Sequence, residues 1–170
     1  MTAKGHVLLA LPFALFGAKQ LGFSPICTTL FIFLVLLGAL FPDIDEPKST
    51  IGRKFWFMSW PIKLLSHIIP LLKHRGITHL FLVPFSLSIT ALYWENIWLG
   101  GFTLGWLLHT FGDLITMGGI RGYFYPFWSN RKIVFLPDAL RFYTGGGAEQ
   151  ILIAFLVLVN GYLVYAWVRV

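Results

Sequence analysis

Gly105–Gly119 reads GWLLHTFGDLITMGG, a hydrophobic helix that carries ionisable residues into its last third. His109 and Asp113 are four residues apart and so share a helix face, with Thr116 one turn further along. Desolvating an imidazole and a carboxylate on an apolar helix is costly unless they are paired or bound to something. A single His–Asp hydrogen bond tying two helices together would meet that need, and HxxxD alone is a loose pattern. What weighs against the simple hydrogen bond is the rest of the chain, which repeats such groups in corresponding places.

The chain is 57% hydrophobic and only 12% charged, with a mean hydropathy of +0.76. Soluble domains carry about 25% charged residues, so this composition implies an integral membrane protein. The apolar residues come in long runs, which predicts an all-α, polytopic helical bundle of one domain covering 1–170. A formal net charge of +6 would suggest nucleic acid in a soluble protein. In a membrane protein, Lys and Arg gather on cytoplasmic loops and at headgroup level, and no nucleic-acid recognition motif accompanies the charge. The lone Cys27 permits no disulfide within the chain and says nothing of compartment.

Working outward, Ile97–Met117 is just long enough to cross a bilayer, which takes about 20 residues. Ile77–Trp94 reads as the span before it, with Glu95-Asn96 as the turn between them. Val7–Ala18 is short for a span and resembles a signal peptide, but lacks a small-x-small cleavage site, so it reads as a retained, tilted first helix. Pro25–Phe41 is a second span, ended by Pro42 and the acidic run Asp43-Ile44-Asp45-Glu46. Residues 55–72 are apolar but interrupted by Pro61, Lys63, His67 and Pro70, with Trp56 and Trp60 near the start. That pattern predicts an interfacial or re-entrant segment, in which His67 is an ordinary interfacial histidine. Gly118–Gly147 is the longest polar stretch. Lys132–Leu136 reads as a short strand or hairpin arm, and Gly145–Gly147 as a flexible lead into the last span, Ala148–Val168.

About five spans place the N-terminus, residues 43–75 and residues 118–147 on one side. Eleven of the 13 basic residues lie there, and only Lys19 and Arg169 lie opposite. The positive-inside rule puts that side in the cytoplasm.

The same topology brings the unusual polar residues to one depth. His6 starts the first span, and Asp43 and Asp45 end the second. His74 and His79 precede or start the third, His109 and Asp113 end the fourth, and Glu149 starts the fifth. Independent structural hydrogen bonds would not segregate in this way. Imidazole with carboxylate suits zinc, manganese or iron, and the number of candidates allows one or two ions, with a metal-activated water as nucleophile. His74 and His79, five apart, do not share a helix face; Gly76 between them puts His74 in the loop and His79 in the first helical turn, where Thr78 would cap. Arg53 and Arg75 are candidate clamps for a phosphate ester, although either would also serve as a topology anchor.

The segments LFPDIDEPKSTIGRK, HRGITH and LLHTFGDLITMGGIRGYFYPF resemble the LexA-regulated, YdjM-like family of inner-membrane metal-dependent hydrolases. Its pattern of an early His, PDIDxPxS…GR, HRGxTH and HxxxDxxTxxG with a following Pro-Phe is matched in order. It falls on His6; Asp43, Asp45, Pro47, Ser49, Gly52 and Arg53; His74, Arg75, Thr78 and His79; and His109, Asp113, Thr116 and Gly119, then Pro126-Phe127. Family members commonly carry His where this chain has Glu46. The resemblance implies a prokaryotic inner-membrane location. It also implies a metal set drawn from His6, Asp43, Asp45, His74, His79, His109 and Asp113, to which the shared depth of the helix ends adds Glu149. Substrate contacts would come from Ser49, Arg53 and Arg75, and catalytic roles from Asp45, Arg75 and Thr116. HxxxD is also loosely similar to the helical zinc-dependent phospholipase C and nuclease group.

These observations predict a metal-dependent hydrolase acting on a lipid phosphate ester or phospholipid at the cytoplasmic face. A non-catalytic metal transporter or assembly factor would use the same ligands, but a transporter needs polar residues continuing to the far side, and spans two and five show few. A bis-histidine haem site fits poorly beside so many aspartates. HExxH and GxSxG motifs and a PSGH-type phosphatase signature are absent from the sequence.

Overall fold

The computed structural model describes residues 1–69, 75–128 and 131–169. The chain is mostly helical, with seven α-helices among the described residues. They are α1 (Ala3–Gln20), α2 (Pro25–Gly38), α3 (Thr50–Lys54), α4 (Trp56–Leu65), α5 (Leu82–Tyr93), α6 (Ile97–Leu114) and α7 (Gly147–Val168). Short 3₁₀ turns at Phe41–Asp45 and Ile77–His79 carry site residues. Strands β1 (Ile120–Arg121) and β2 (Lys132–Ile133) pair antiparallel, with Ile120 opposite Ile133, so the hairpin arm expected at 132–136 is a two-residue strand.

Helix α6 is the centre of the bundle, packing on α1, α2 and α5, while α7 lies outside against α1. Small residues permit the closest crossing. A Cβ on Gly38 would lie 1.9 Å from the Phe102 carbonyl oxygen, and one on Gly105 would lie 1.9 Å from that of Val35. The backbones of α2 and α6 therefore touch, as helices packed through small residues do. Ala10, Ala14 and Ala18, one turn apart along α1, pack against Phe31, Val35 and Ala39 of the α2 region. The starts of helices are capped by side chains. Thr2, Ser24 and Asn96 each accept a backbone N–H from the first turn of α1, α2 and α6.

Among the described residues, α7 is the one helix long and apolar enough to cross a membrane, with a mean hydropathy of 2.2 over its most apolar stretch. Helices α2 and α5 are apolar but shorter.

Boundaries differ from the sequence expectation: α1 covers Ala3–Gln20 against the expected Val7–Ala18, and α2 stops at Gly38, short of Phe41, which belongs to the next 3₁₀ turn. The helix expected from Ile77 begins at Leu82, because Leu80 is extended and the Phe81 N–H is drawn to the Tyr123 carbonyl at 2.9 Å. The helix expected to reach Met117 ends at Leu114. There Phe135 donates to the Leu114 carbonyl at 3.0 Å and Met117 donates to that of Phe142 at 2.9 Å, so the following loop captures the helix end. Within 55–72, α4 covers ten residues, about 15 Å of helix and half a bilayer's hydrocarbon thickness. Ser59, fully buried, donates to the Gly52 carbonyl at 2.8 Å, while Trp56, Phe57, Trp60 and Leu64 are exposed. Pro70 and the neighbouring residues to His74 lie outside the described part of the chain.

Candidate metal centre

The helices alternate in direction, so the start of α1, the end of α2, the approach to α5, the end of α6 and the start of α7 all meet at one end. His6, Asp45, His79, His109, Asp113, Thr116 and Glu149 are buried there, each at most 2% exposed.

His109 is the hub. Its Nδ1 lies 2.8 Å from the Ala39 carbonyl oxygen, which can only accept, so Nδ1 carries the proton. The α2–α6 crossing puts that carbonyl within reach. His79 is fixed from its own 3₁₀ turn. The Thr78 hydroxyl donates to Asp45 Oδ2 at 2.7 Å, which leaves its oxygen to accept from His79 Nδ1 at 3.0 Å. In its neutral form each ring held this way presents a lone pair at Nε2, and the two Nε2 atoms lie 3.2 Å apart. Asp43 Oδ1 is 3.8 Å from His79 Nε2 and 3.6 Å from His109 Nε2. Asp113 Oδ2 is 3.7 Å from His79 Nε2.

Asp43, His79 and His109 thus offer one ligand atom each, all within 4.8 Å of one another, and His6, His109 and Asp113 form a second such set. Two neutral imidazoles with fixed tautomers beside a carboxylate are a fitting donor set for a borderline divalent ion. A tetrahedral ion with bonds of about 2.0–2.1 Å holds its ligand atoms roughly 3.3 Å apart, close to the His79–His109 spacing.

The remaining candidates surround this core. The His6 ring stacks on His109, with centroids 3.8 Å apart and planes 12° from parallel. Its Nε2 is 3.5 Å from Asp113 Oδ1, yet neither ring nitrogen makes a hydrogen bond among the described residues. Asp113 is also held by the Met1 amine and by Arg75 Nη2 at 3.1 Å. Arg75 donates through Nη1 to the Gly119 carbonyl at 2.7 Å and through its backbone N–H to Asp45 Oδ2 at 3.2 Å. Its φ of +63° is left-handed, a conformation that costs energy for a side chain of this kind.

Asp45 faces the 75–79 segment, accepting from Arg75 and Thr78. The Ser49 hydroxyl caps α3 and donates to the Asp43 carbonyl at 2.7 Å, which holds the acidic turn in place. Arg53, in the same short helix, is exposed. Thr116 does not continue the helix face as expected. It lies past the end of α6, and its hydroxyl donates back to the Asp113 carbonyl at 2.8 Å. Thr78 does not cap a helix, since α5 starts three residues beyond the 3₁₀ turn. Glu149 belongs to neither ligand set among the described residues. It accepts from the backbone N–H and hydroxyl of Thr2 at 2.7 and 2.8 Å, and from the Gly145 N–H at 2.5 Å, joining the starts of α1 and α7. His74 lies outside the described residues.

Trp106 also belongs to the site, although indole is not a metal ligand. Its indole Nε1 donates to the Thr78 carbonyl at 2.6 Å and so steadies the turn that presents His79. The spacing Trp106–His109–Asp113 keeps one helix face and was the available signal.

The sequence model of the family described as YdjM inner membrane protein matches residues 1–170. The inner membrane protein YdjM of Escherichia coli K12 is 32% identical over 149 residues, covering 81% of this chain and 72% of that protein. The uncharacterized protein YvsG of Bacillus subtilis 168 is 32% identical over 168 residues, covering 97% of this chain and 95% of that protein. No solved structure matches the chain.

Proposed function

The chain belongs to the YdjM inner membrane protein family, and we propose that it is a membrane-embedded, metal-dependent hydrolase of lipid phosphate esters or phospholipids, working at the cytoplasmic face. The observation that carries this reading is the pair of Nε2 atoms 3.2 Å apart, each ring held by a hydrogen bond at its other nitrogen. Two lone pairs directed at one small space repel unless a cation or a proton lies between them. Asp43 beside them supplies the negative charge that a divalent ion requires.

A bound divalent ion, zinc being the best match to imidazole and carboxylate, would supply Lewis acidity to a phosphoryl oxygen and acidify water. The protein's own groups supply the rest. Asp43, His79 and His109 would hold the ion, while Thr78, Trp106 and the Ala39 carbonyl aim the two rings. Asp45 organises the 75–79 turn and is placed to take a proton through Thr78. Arg75 positions Asp113, and its buried Nε makes no hydrogen bond among the described residues. Exposed Arg53 is the group best placed among the candidates to meet a phosphate arriving from outside.

The architecture that suits this chemistry is a bundle of about five spans, α1, α2, α5, α6 and α7, with α4 lying in the interface. Support comes from the alternating helix directions and from the exposed Trp56, Phe57, Trp60 and Leu64, flanked by Lys54 and Lys63. A headgroup would then approach the centre along the leaflet.

The test is metal analysis of purified protein together with phosphate release from a panel of lipid phosphate esters and phospholipids. Metal-dependent release that is lost in His109→Ala is the expected result. Metal-loaded protein that releases nothing from the panel would move the assignment to a metal-binding transporter or assembly factor.

A further inference from the structure

We infer that the centre holds one divalent ion and not a pair, with His6 acting as a stacked positioning residue for His109 and taking no metal bond itself. The inference rests on the metal-site reading above and fixes its stoichiometry.

The two ligand sets share His109. Its Nδ1 is committed to the Ala39 carbonyl, so the ring has one lone pair to give, at Nε2. An imidazole lone pair lies in the plane of the ring and serves one ion. Occupying one set therefore empties His109 from the other.

Ring orientation decides between the sets. His79 and His109 are inclined at 70°, with their Nε2 atoms 3.2 Å apart, so their in-plane directions can cross at a common point. His6 and His109 are nearly parallel and face to face at 3.8 Å. In-plane directions of parallel rings do not cross. An ion close to both would sit between the faces, outside both planes, where neither lone pair points.

Charge leads to the same conclusion. Asp113, the carboxylate of the second set, already has the Arg75 guanidinium 3.1 Å from Oδ2. A second dication there would face that guanidinium across a buried carboxylate. His6 has no hydrogen bond at either nitrogen among the described residues; its ring lies on the face of His109, and its Nε2 approaches Asp113 at 3.5 Å. Stacking against that face holds the His109 ring plane, and with it the aim of Nε2.

The experiment is titration of metal-free, detergent-solubilised full-length protein with Co²⁺, followed by metal content and the cobalt d–d absorption bands. Wild type, His6→Phe and His6→Ala are compared. Saturation at one ion per chain is expected for all three. The His6→Phe bands should match wild type, because a ring is kept and no ligand is lost. His6→Ala should bind more weakly by about 10- to 100-fold, the usual effect of losing a ligand-orienting contact. Two ions per wild-type chain would overturn the inference without touching the metal-site reading, and that measurement needs no variant. A shifted cobalt spectrum in folded His6→Phe would also overturn it by making His6 a ligand. Wild type that binds no metal at all would remove both.

Discussion

His79 Nε2 and His109 Nε2 approach to 3.2 Å although each ring is oriented, through its other nitrogen, to present a lone pair at that atom. The two residues are 30 positions apart and reach each other from a 3₁₀ turn and a long helix. Hydrogen bonds from outside the pair hold each ring in place: the Ala39 carbonyl for one, the Thr78 hydroxyl backed by Asp45 for the other. Losing a group that orients a ligand in this way typically costs about 10- to 100-fold in metal affinity.

Thr78→Val tests that dependence. Valine keeps the shape but removes the hydroxyl, so His79 Nδ1 loses its acceptor and Asp45 loses a donor. Metal affinity is expected to fall by about 10- to 100-fold. Equilibrium dialysis against a competing chelator measures it, and unchanged affinity would show that Thr78 does not set the tautomer.

Gly105→Ala should disrupt the centre from a distance. The added Cβ meets the Val35 carbonyl at 1.9 Å, so α2 and α6 must separate and the Ala39 carbonyl must move away from His109. Overpacking of this kind costs about 1–3 kcal/mol or more. Gly161→Ala is the control, since a Cβ there meets nothing within 4 Å. Thermal unfolding in detergent should show a lower Tm for the first and no loss for the second.

Arg75→Lys keeps a positive charge but cannot span Asp113 and the Gly119 carbonyl together as the guanidinium does. Loss of one hydrogen bond to or from a charged group costs about 1.5–3 kcal/mol. The expected outcome is a lower Tm with metal content also reduced. Loss of phosphate release at unchanged Tm and metal content would instead make Arg75 a phosphate clamp.

Topology is checked with reporter fusions. A fusion after Val170 is expected to read as extracytoplasmic and an insertion after Gly122 as cytoplasmic. The same signal from both would break the five-span count, and residues 55–72 would be the first place to look.

The sequence by itself determined that the chain is membrane-like in composition, that its helices alternate in direction, and that His6, Asp43, Asp45, His79, His109 and Asp113 belong to one end of the bundle. Composition, helical periodicity and the placing of ionisable residues at the ends of apolar runs are one-dimensional properties, and they survive folding unchanged. Tertiary structure alone decided how those residues divide their work. Thr116 fell beyond the helix end because Phe135 and Met117 make hydrogen bonds that stop α6 at Leu114. Glu149 took up Thr2 and Gly145 N–H groups and so became a clamp between two helix starts. His6 and His79 are both buried histidines beside His109, yet one lies flat on its face and the other meets it edge-on through nitrogen. Ring orientation and the choice of protonated nitrogen are set by partners on other elements, such as the Ala39 carbonyl brought close by Gly38 and Gly105. Spacing along the chain contains no record of them.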